Sequence, residues 1–171
     1  VYEWNAAIND WTRRGTGANL PGGAGWAYQT PISGDGSVFA VSNPSSGNGQ
    51  VRVFEWRPEE GEWFMMGSTL YGKASGDQFG DSIALSKSGR TLAVGAPSNS
   101  DGPGTYAGHV RVYDWDETTW NRRDADILGE ASGDNSGKDV KLSANGDVIA
   151  IGAVNNDGGG NNAGHVRGYD W

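Results

Sequence analysis

The sequence contains no cysteine, which excludes a disulfide framework and any zinc site built on thiolates. No apolar run approaches the roughly 20 residues with which a helix spans a bilayer, so membrane insertion by a helix is not expected. The N-terminus has neither an initiator Met nor a signal-peptide pattern, as expected of a piece of a longer array. Basic residues are scarce: 13 Lys and Arg face 21 Asp and Glu, giving a net charge of −8 with no basic stripe, which argues against a nucleic-acid partner. Catalytic signatures are missing too. There is no GxSxG, P-loop or HExxH, and the single-copy acids Glu59, Glu60 and Glu62 fall in one charged turn, so no enzyme is expected.

What is plentiful is glycine, 29 of 171 residues, together with eight Trp and 36% hydrophobic residues. Disordered chains seldom carry so many large apolar groups, so the pattern reads as many short strands joined by tight turns. Residues 107–115, AGHVRVYDW, return as AGHVRGYDW at 163–171, with fainter copies at 49–56 and 1–4. The closing tryptophans Trp4, Trp56, Trp115 and Trp171 are 52, 59 and 56 residues apart. A period of roughly 50 residues with strand-like content points to propeller blades.

Each period divides into four strand candidates, and three copies of one turn, SGDG at 33–36, SKSG at 86–89 and SANG at 143–146, mark a hairpin between the first two. The chain is therefore expected to be one all-β repeat segment over 1–171, with approximate blades 22–70, 71–127 and an incomplete 128–171. The strands run third, fourth, two full sets of four, then first to third, 13 in all. About three four-stranded antiparallel blades cannot close a ring alone, so flanking blades or self-association are expected to cover the open faces. In the repeated strand, Val110 and Val112 are expected to face one neighbour and Tyr113 and Trp115 the other, and Gly168, which replaces a Val, to sit at a boundary.

Phe79-Gly80 followed by Gly95-Ala96-Pro97 resembles the FG-GAP repeat, the blade of integrin-α-type β-propellers. The stretch from Gly129 to the end resembles the long FG-GAP-like arrays of large secreted or surface proteins. The resemblance implies an extracellular or cell-surface location and a structural or adhesive role. Three places depart from it: Trp26-Ala27 stand at the FG position of the first copy, Ser42-Asn43-Pro44 replace GAP, and Ser136 replaces Phe. The integrin-like calcium loop would lie between the FG and GAP strands, where this chain has only LSKSGRT and LSANGDV, so calcium is not carried over to that place.

Longer loops follow GAP, at 98–108 and 155–164. Asn99, Asp101, Asn155 and Asp157 are their candidate Ca²⁺ ligands, yet one carboxylate per loop is poor for a cation that takes six to eight oxygens, and Asx-turns are the competing reading. Asp77 and Asp134 recur before the first strands and are expected to cap loops or link blades. His109 and His165 share a repeat position with Gln50, which suggests a hydrogen bond from a polar side chain at a strand start. Trp11, Trp63 and Trp120 lie across a hairpin from the landmark tryptophans. They are candidates for stacking on sugars if exposed and for packing between blades if buried. The function expected is a non-enzymatic scaffold for protein or polysaccharide at its loop face, with a carbohydrate-binding propeller as the alternative.

Overall fold

The computed structural model describes residues 1–17 and 25–171, and the expected blade boundary at residue 22 lies outside them. A two-stranded ribbon, β1 (Tyr2–Asn5) and β2 (Asp10–Arg13), comes first. The first blade holds β3 (Val38–Asn43), β4 (Gln50–Arg57), β5 (Glu62–Met65) and β6 (Leu70–Tyr71). The second holds β7 (Ser82–Leu85), β8 (Thr91–Ala96), β9 (His109–Trp115), β10 (Trp120–Arg122) and β11 (Ile127–Leu128). The third holds β12 (Ser136–Leu142), β13 (Val148–Ala153) and β14 (His165–Asp170), and no helix occurs among the described residues. Every strand pair is antiparallel.

Among the described residues fourteen strands form where 13 were expected, for two physical reasons. The first strand of the first blade is not built: Tyr28 N–H reaches Ser42 O and Ala40 N–H reaches Pro31 O, but Pro31 has no N–H to return and the ladder breaks. Each fourth strand is split instead. β5 and β6 both pair with β4, interrupted where Gly67 takes φ +66°, and β10 and β11 both pair with β9. Only the second blade is therefore a complete four-stranded sheet.

The hairpin turns repeat atom for atom. Gly36, Gly89 and Gly146, at φ +70°, +71° and +82°, each donate their N–H to the Ser three residues earlier, and the Oγ of Ser33, Ser86 or Ser143 accepts the N–H of Val38, Thr91 or Val148. The turns also join one another, Gly34 N–H to Lys87 O at 2.8 Å and Lys87 N–H to Ala144 O at 2.9 Å. A hydrogen-bonded rail thus crosses all three blades at one end of the strands.

Strand alternation supplies a sticky face on either side of each sheet. Val38, Ala40, Val51 and Val53 of the first blade bury against Leu92, Val94, Tyr113 and Trp120 of the second, with Phe79 between them and Trp115 packed alongside. The other face of the second blade, Ala84, Ala93, Val110 and Val112, buries against Val140, Ile149 and Ile151 of the third. Val110 and Val112 thus face one neighbour and Tyr113 and Trp115 the other. The outer face of the third blade is uncovered, with Val166 70% exposed, and Gly168 lies there, where an added Cβ would meet nothing nearer than Ile149 O at 4.0 Å.

Candidate functional site

Two buried residues hold each long loop at the end of the strands opposite the turn rail. In the second blade Asp77 Oδ2 accepts the Ala74 N–H at 3.0 Å and the Asn99 Nδ2 at 2.8 Å. Asn99 Oδ1 accepts the Asp101 N–H at 2.9 Å, and its carbonyl accepts the Gly108 N–H at 3.0 Å. The third blade repeats the lock: Asp134 Oδ2 accepts Ala131 N–H at 3.0 Å and Asn156 Nδ2 at 2.8 Å, Asn156 Oδ1 accepts Gly158 N–H at 2.9 Å, and its carbonyl accepts Gly164 N–H at 3.0 Å. Asp77 and Asp134 therefore cap loops. Asp134→Ala leaves the Asn156 Nδ2 with only the longer bond to Glu130 Oε2, at 3.3 Å, and frees the Ala131 N–H, so it should cost about 1–3 kcal/mol and open residues 155–164 to limited proteolysis; an unchanged cleavage rate would contradict the lock.

The four proposed calcium ligands are engaged otherwise. Asn99 belongs to the lock, Asp101 Oδ2 takes Lys73 Nζ at 2.9 Å, Asn155 Nδ2 donates to Asn135 Oδ1 at 2.7 Å, and Asp157 Oδ1 accepts Asn162 N–H at 2.7 Å. The structural partner of Asn99 is Asn156, so Asn155 and Asp157 are each one position off the repeat. Among the described residues no three His, Asp or Glu groups come together as metal ligands.

His109 corrects the expectation made for its position. Gln50 Nε2 donates to Ser46 Oγ at 3.1 Å and His165 Nδ1 meets Glu130 Oε2 at 3.0 Å, but His109 is fully buried and neither ring nitrogen has a partner. Burial first, then Arg111 and Lys73, push its pKa down to about 4 against the pull of Asp126 and Asp77. Beside it runs an ion network: Lys73 Nζ bridges Asp101 and Asp126 at 2.9 Å each, and Asp126 Oδ1 also accepts Arg111 Nε at 3.0 Å and an Arg122 N–H. Burial opposes the charge of Asp126, but Lys73 and Arg111 outweigh it and hold its carboxyl below the usual range. In the third blade Glu130 replaces Lys73, and a cleft of about 590 Å³ opens among Glu130, Asp134, Asn156, Asp157 and His165. Sequence reading missed the network because Lys73, Asp101 and Asp126 have no counterparts in the other copies, although Arg111 shares its repeat position with Arg52 and Arg167.

The tryptophans settle into one repeated clamp. Trp4 pairs across the strands with Trp11, Trp56 with Trp63 and Trp115 with Trp120, at ring separations of 5.6, 5.3 and 5.4 Å. Trp63 Nε1 donates to Arg14 O at 3.0 Å and Trp120 Nε1 to Met66 O at 3.1 Å, each acceptor being the residue just after β2 or β5. The landmark rings lie over the next residue there: a Cβ on Gly15 would be 2.9 Å from Trp56, and one on Gly67 3.0 Å from Trp115. Trp63 and Trp120 are each 7% exposed, so these two rings cannot stack on sugars; Trp11, at 59%, remains open. Ion pairs add to the junctions, Arg90 to Glu55 and Lys138 to Asp81, both at 2.8 Å.

The FG-GAP repeat family model matches residues 71–113, which run from the end of β6 through Phe79-Gly80, β7 and GAP to Tyr113 of β9. No curated protein matches the chain. Among solved structures, TolB from Acinetobacter baumannii is similar in fold at 13% identity and a TM-score of 0.50, covering 83% of this chain and 29% of TolB. Hydrazine synthase from Kuenenia stuttgartiensis aligns at 14% identity and a TM-score of 0.53, covering 91% of this chain and 35% of its own. Both are β-propeller proteins, and the chain spans about a third of the length of each. Residues 71–113 thus match the FG-GAP repeat, and the chain has the fold of β-propeller blades, similar to an FG-GAP-like propeller.

Proposed function

We propose that the chain is a non-enzymatic extracellular scaffold that displays loops for adhesion to a protein or polysaccharide. The observation that supports this reading most is the constancy of the lock beneath differing loops. Asp77 and Asn99 hold SNSDGPGTYAG, and Asp134 and Asn156 hold NNDGGGNNAG, in the same way. The second-blade loop rests on the segment that carries the third-blade lock, since Thr105 O and Tyr106 O accept the N–H groups of Gly133 and Asn135. A frame that fixes loop ends while loop sequence varies suits recognition, because the rigid part carries stability and the loops carry contact chemistry.

The test replaces residues 157–162 with a Gly/Ser sequence of equal length and measures retention on immobilised extracellular polysaccharides and matrix proteins. The melting temperature should stay near that of the wild type while retention falls. Retention unchanged by the replacement but lost in Trp11→Ala would move recognition to the exposed tryptophan pair and contradict the loop-display reading.

A further inference from the structure

The landmark tryptophans Trp56, Trp115 and Trp171 take one place in their blades, each donating its N–H to the residue just before the second strand, Ser37, Arg90 or Asp147. Two of the three rings are covered by an arginine. Arg14, the residue just after β2, holds its guanidinium 4.8 Å from the ring centre of Trp56 and donates to Gly36 O at 3.1 Å. Arg123, the residue just after β10, lies 4.9 Å from the ring centre of Trp171 and donates to Gly146 O at 2.7 Å. Each arginine therefore ties the strand that precedes a blade to the ring and the turn of that blade. The residue just after β5 is Met66, which belongs to the core between the first and second blades. Among the described residues no cation lies over Trp115.

A cleft of about 280 Å³ opens at this junction, which is interior to the array, and its lining includes Glu55, Arg57, Phe64, Met66, Trp115 and Glu117. Most of these groups are already engaged. Glu55 Oε1 accepts Arg90 Nη2 at 2.8 Å, and Arg57 lies 4.3 Å from the ring centre of Phe64. At the next junction Arg123 does two things, pairing with Asp114, the counterpart of Glu55, and covering Trp171. At this junction Arg90 does only the first. Glu117 is exposed at the tip of the β9–β10 hairpin, and no ion pair among the described residues engages it. A carboxylate beside a half-buried indole complements a guanidinium, which bonds the one and stacks on the other. The two hairpin tips at this end carry Glu59, Glu60, Asp116 and Glu117 against Arg57, so the surroundings also attract a cation.

We propose that this cleft is a docking site for an arginine side chain of a protein partner, its guanidinium lying over Trp115 and bonded to Glu117. The chain supplies the template itself, in Arg14 over Trp56 and Arg123 over Trp171. The partner is then a basic segment, which suits a chain of net charge −8. The cleft lies at the turn-rail end of the strands, opposite the long loops, so it is a second contact surface and does not rest on loop display.

Titration of the ¹⁵N-labelled intact chain with a blocked Gly-Arg-Gly peptide, followed at the Trp115 indole N–H, tests it. The resonance should shift and saturate at about millimolar peptide, and the matching citrulline peptide, which keeps the shape and loses the charge, should bind at least about tenfold more weakly. Met66→Arg should abolish the response, because the chain's own guanidinium then covers the ring as it does at the junctions on either side. Glu117→Lys, on an exposed turn away from the core, should weaken binding at least about tenfold. The Gly/Ser replacement of residues 157–162 should leave the titration unchanged. A wild type without a shift overturns the proposal, as do equal shifts with the citrulline peptide and binding that survives both Met66→Arg and Glu117→Lys. Binding lost in the loop replacement would put the contact in the loops and overturn it as well.

Discussion

Gly95→Val should destabilise the protein by about 3 kcal/mol or more, while the same change at Gly152 should leave its stability nearly untouched. The two glycines occupy one repeat position and differ in what lies opposite. At Gly95 a Cβ would stand 2.0 Å from Gly137 O and 2.4 Å from Ser82 Oγ, and Ser82 Oγ itself donates to Gly137 O at 2.7 Å. That backbone belongs to the segment that opens the third blade and cannot swing aside as a side-chain tip would. Relief requires the two sheets to separate, which exposes Val110, Val112, Ile149 and Ile151. At Gly152 no such neighbour exists within the chain. Urea denaturation of the two variants and the wild type measures the difference directly. Equal loss in both would mean that intrinsic strand geometry, not close approach between blades, dictates glycine here.

Acid should weaken the fold through His109. Its folded pKa of about 4 lies below the ordinary 6.5, so the unfolded chain takes up the proton first as pH falls. The sign follows: stability is intact above pH 6.5, declines from there, and the loss levels off below about 4, at roughly 3 kcal/mol. Neither ring nitrogen has an acceptor waiting, and Lys73 and Arg111 nearby add to the cost of a third cation. His109→Gln, the residue type of position 50, removes the titrating group. Stability of the variant should change less between pH 6.5 and 4 than that of the wild type, read from denaturation midpoints across that range. Parallel pH curves for the two proteins would place the acid sensitivity elsewhere.

Much of the fold was legible in the sequence because it rests on features that repeat. SGDG, SKSG and SANG fixed the hairpins, since each needs a left-handed glycine and a Ser acceptor at set spacing. The alternation in HVRVYDW showed which residues face which blade. The capping role of Asp77 and Asp134 was also readable, because two copies of one acid at one loop speak for local structure. Features that occur once stayed hidden. Pro31 removes the donor that the first strand of the first blade needs opposite Ala40, and that one missing N–H breaks the ladder. The sequence places His109 and Gln50 alike, but burial beneath the Lys73 network leaves only His109 without a partner. The loops at 98–108 and 155–164 differ in length by one residue, so spacing alone did not show that Asn156, and not Asn155, is the counterpart of Asn99. The fate of the tryptophans depended on the fourth strand of the preceding blade, which no reading within one repeat supplies.

The central claim is that the second and third blades dock the backbone at Phe79-Gly80 and Ser136-Gly137 into the blade before them, and amide hydrogen exchange tests this most directly. Lys87, Gly133, Asn135 and Ser136 donate their N–H groups only across a junction, to Ala144, Thr105, Tyr106 and Ala107 at 2.9 to 3.0 Å. If the array is a continuous stack, these four amides exchange with a protection free energy close to that of global unfolding, as strand amides within β8 and β9 do. Fast exchange at these four beside slow exchange in the strands would mean blades that fold separately and touch only in passing, and would contradict the account.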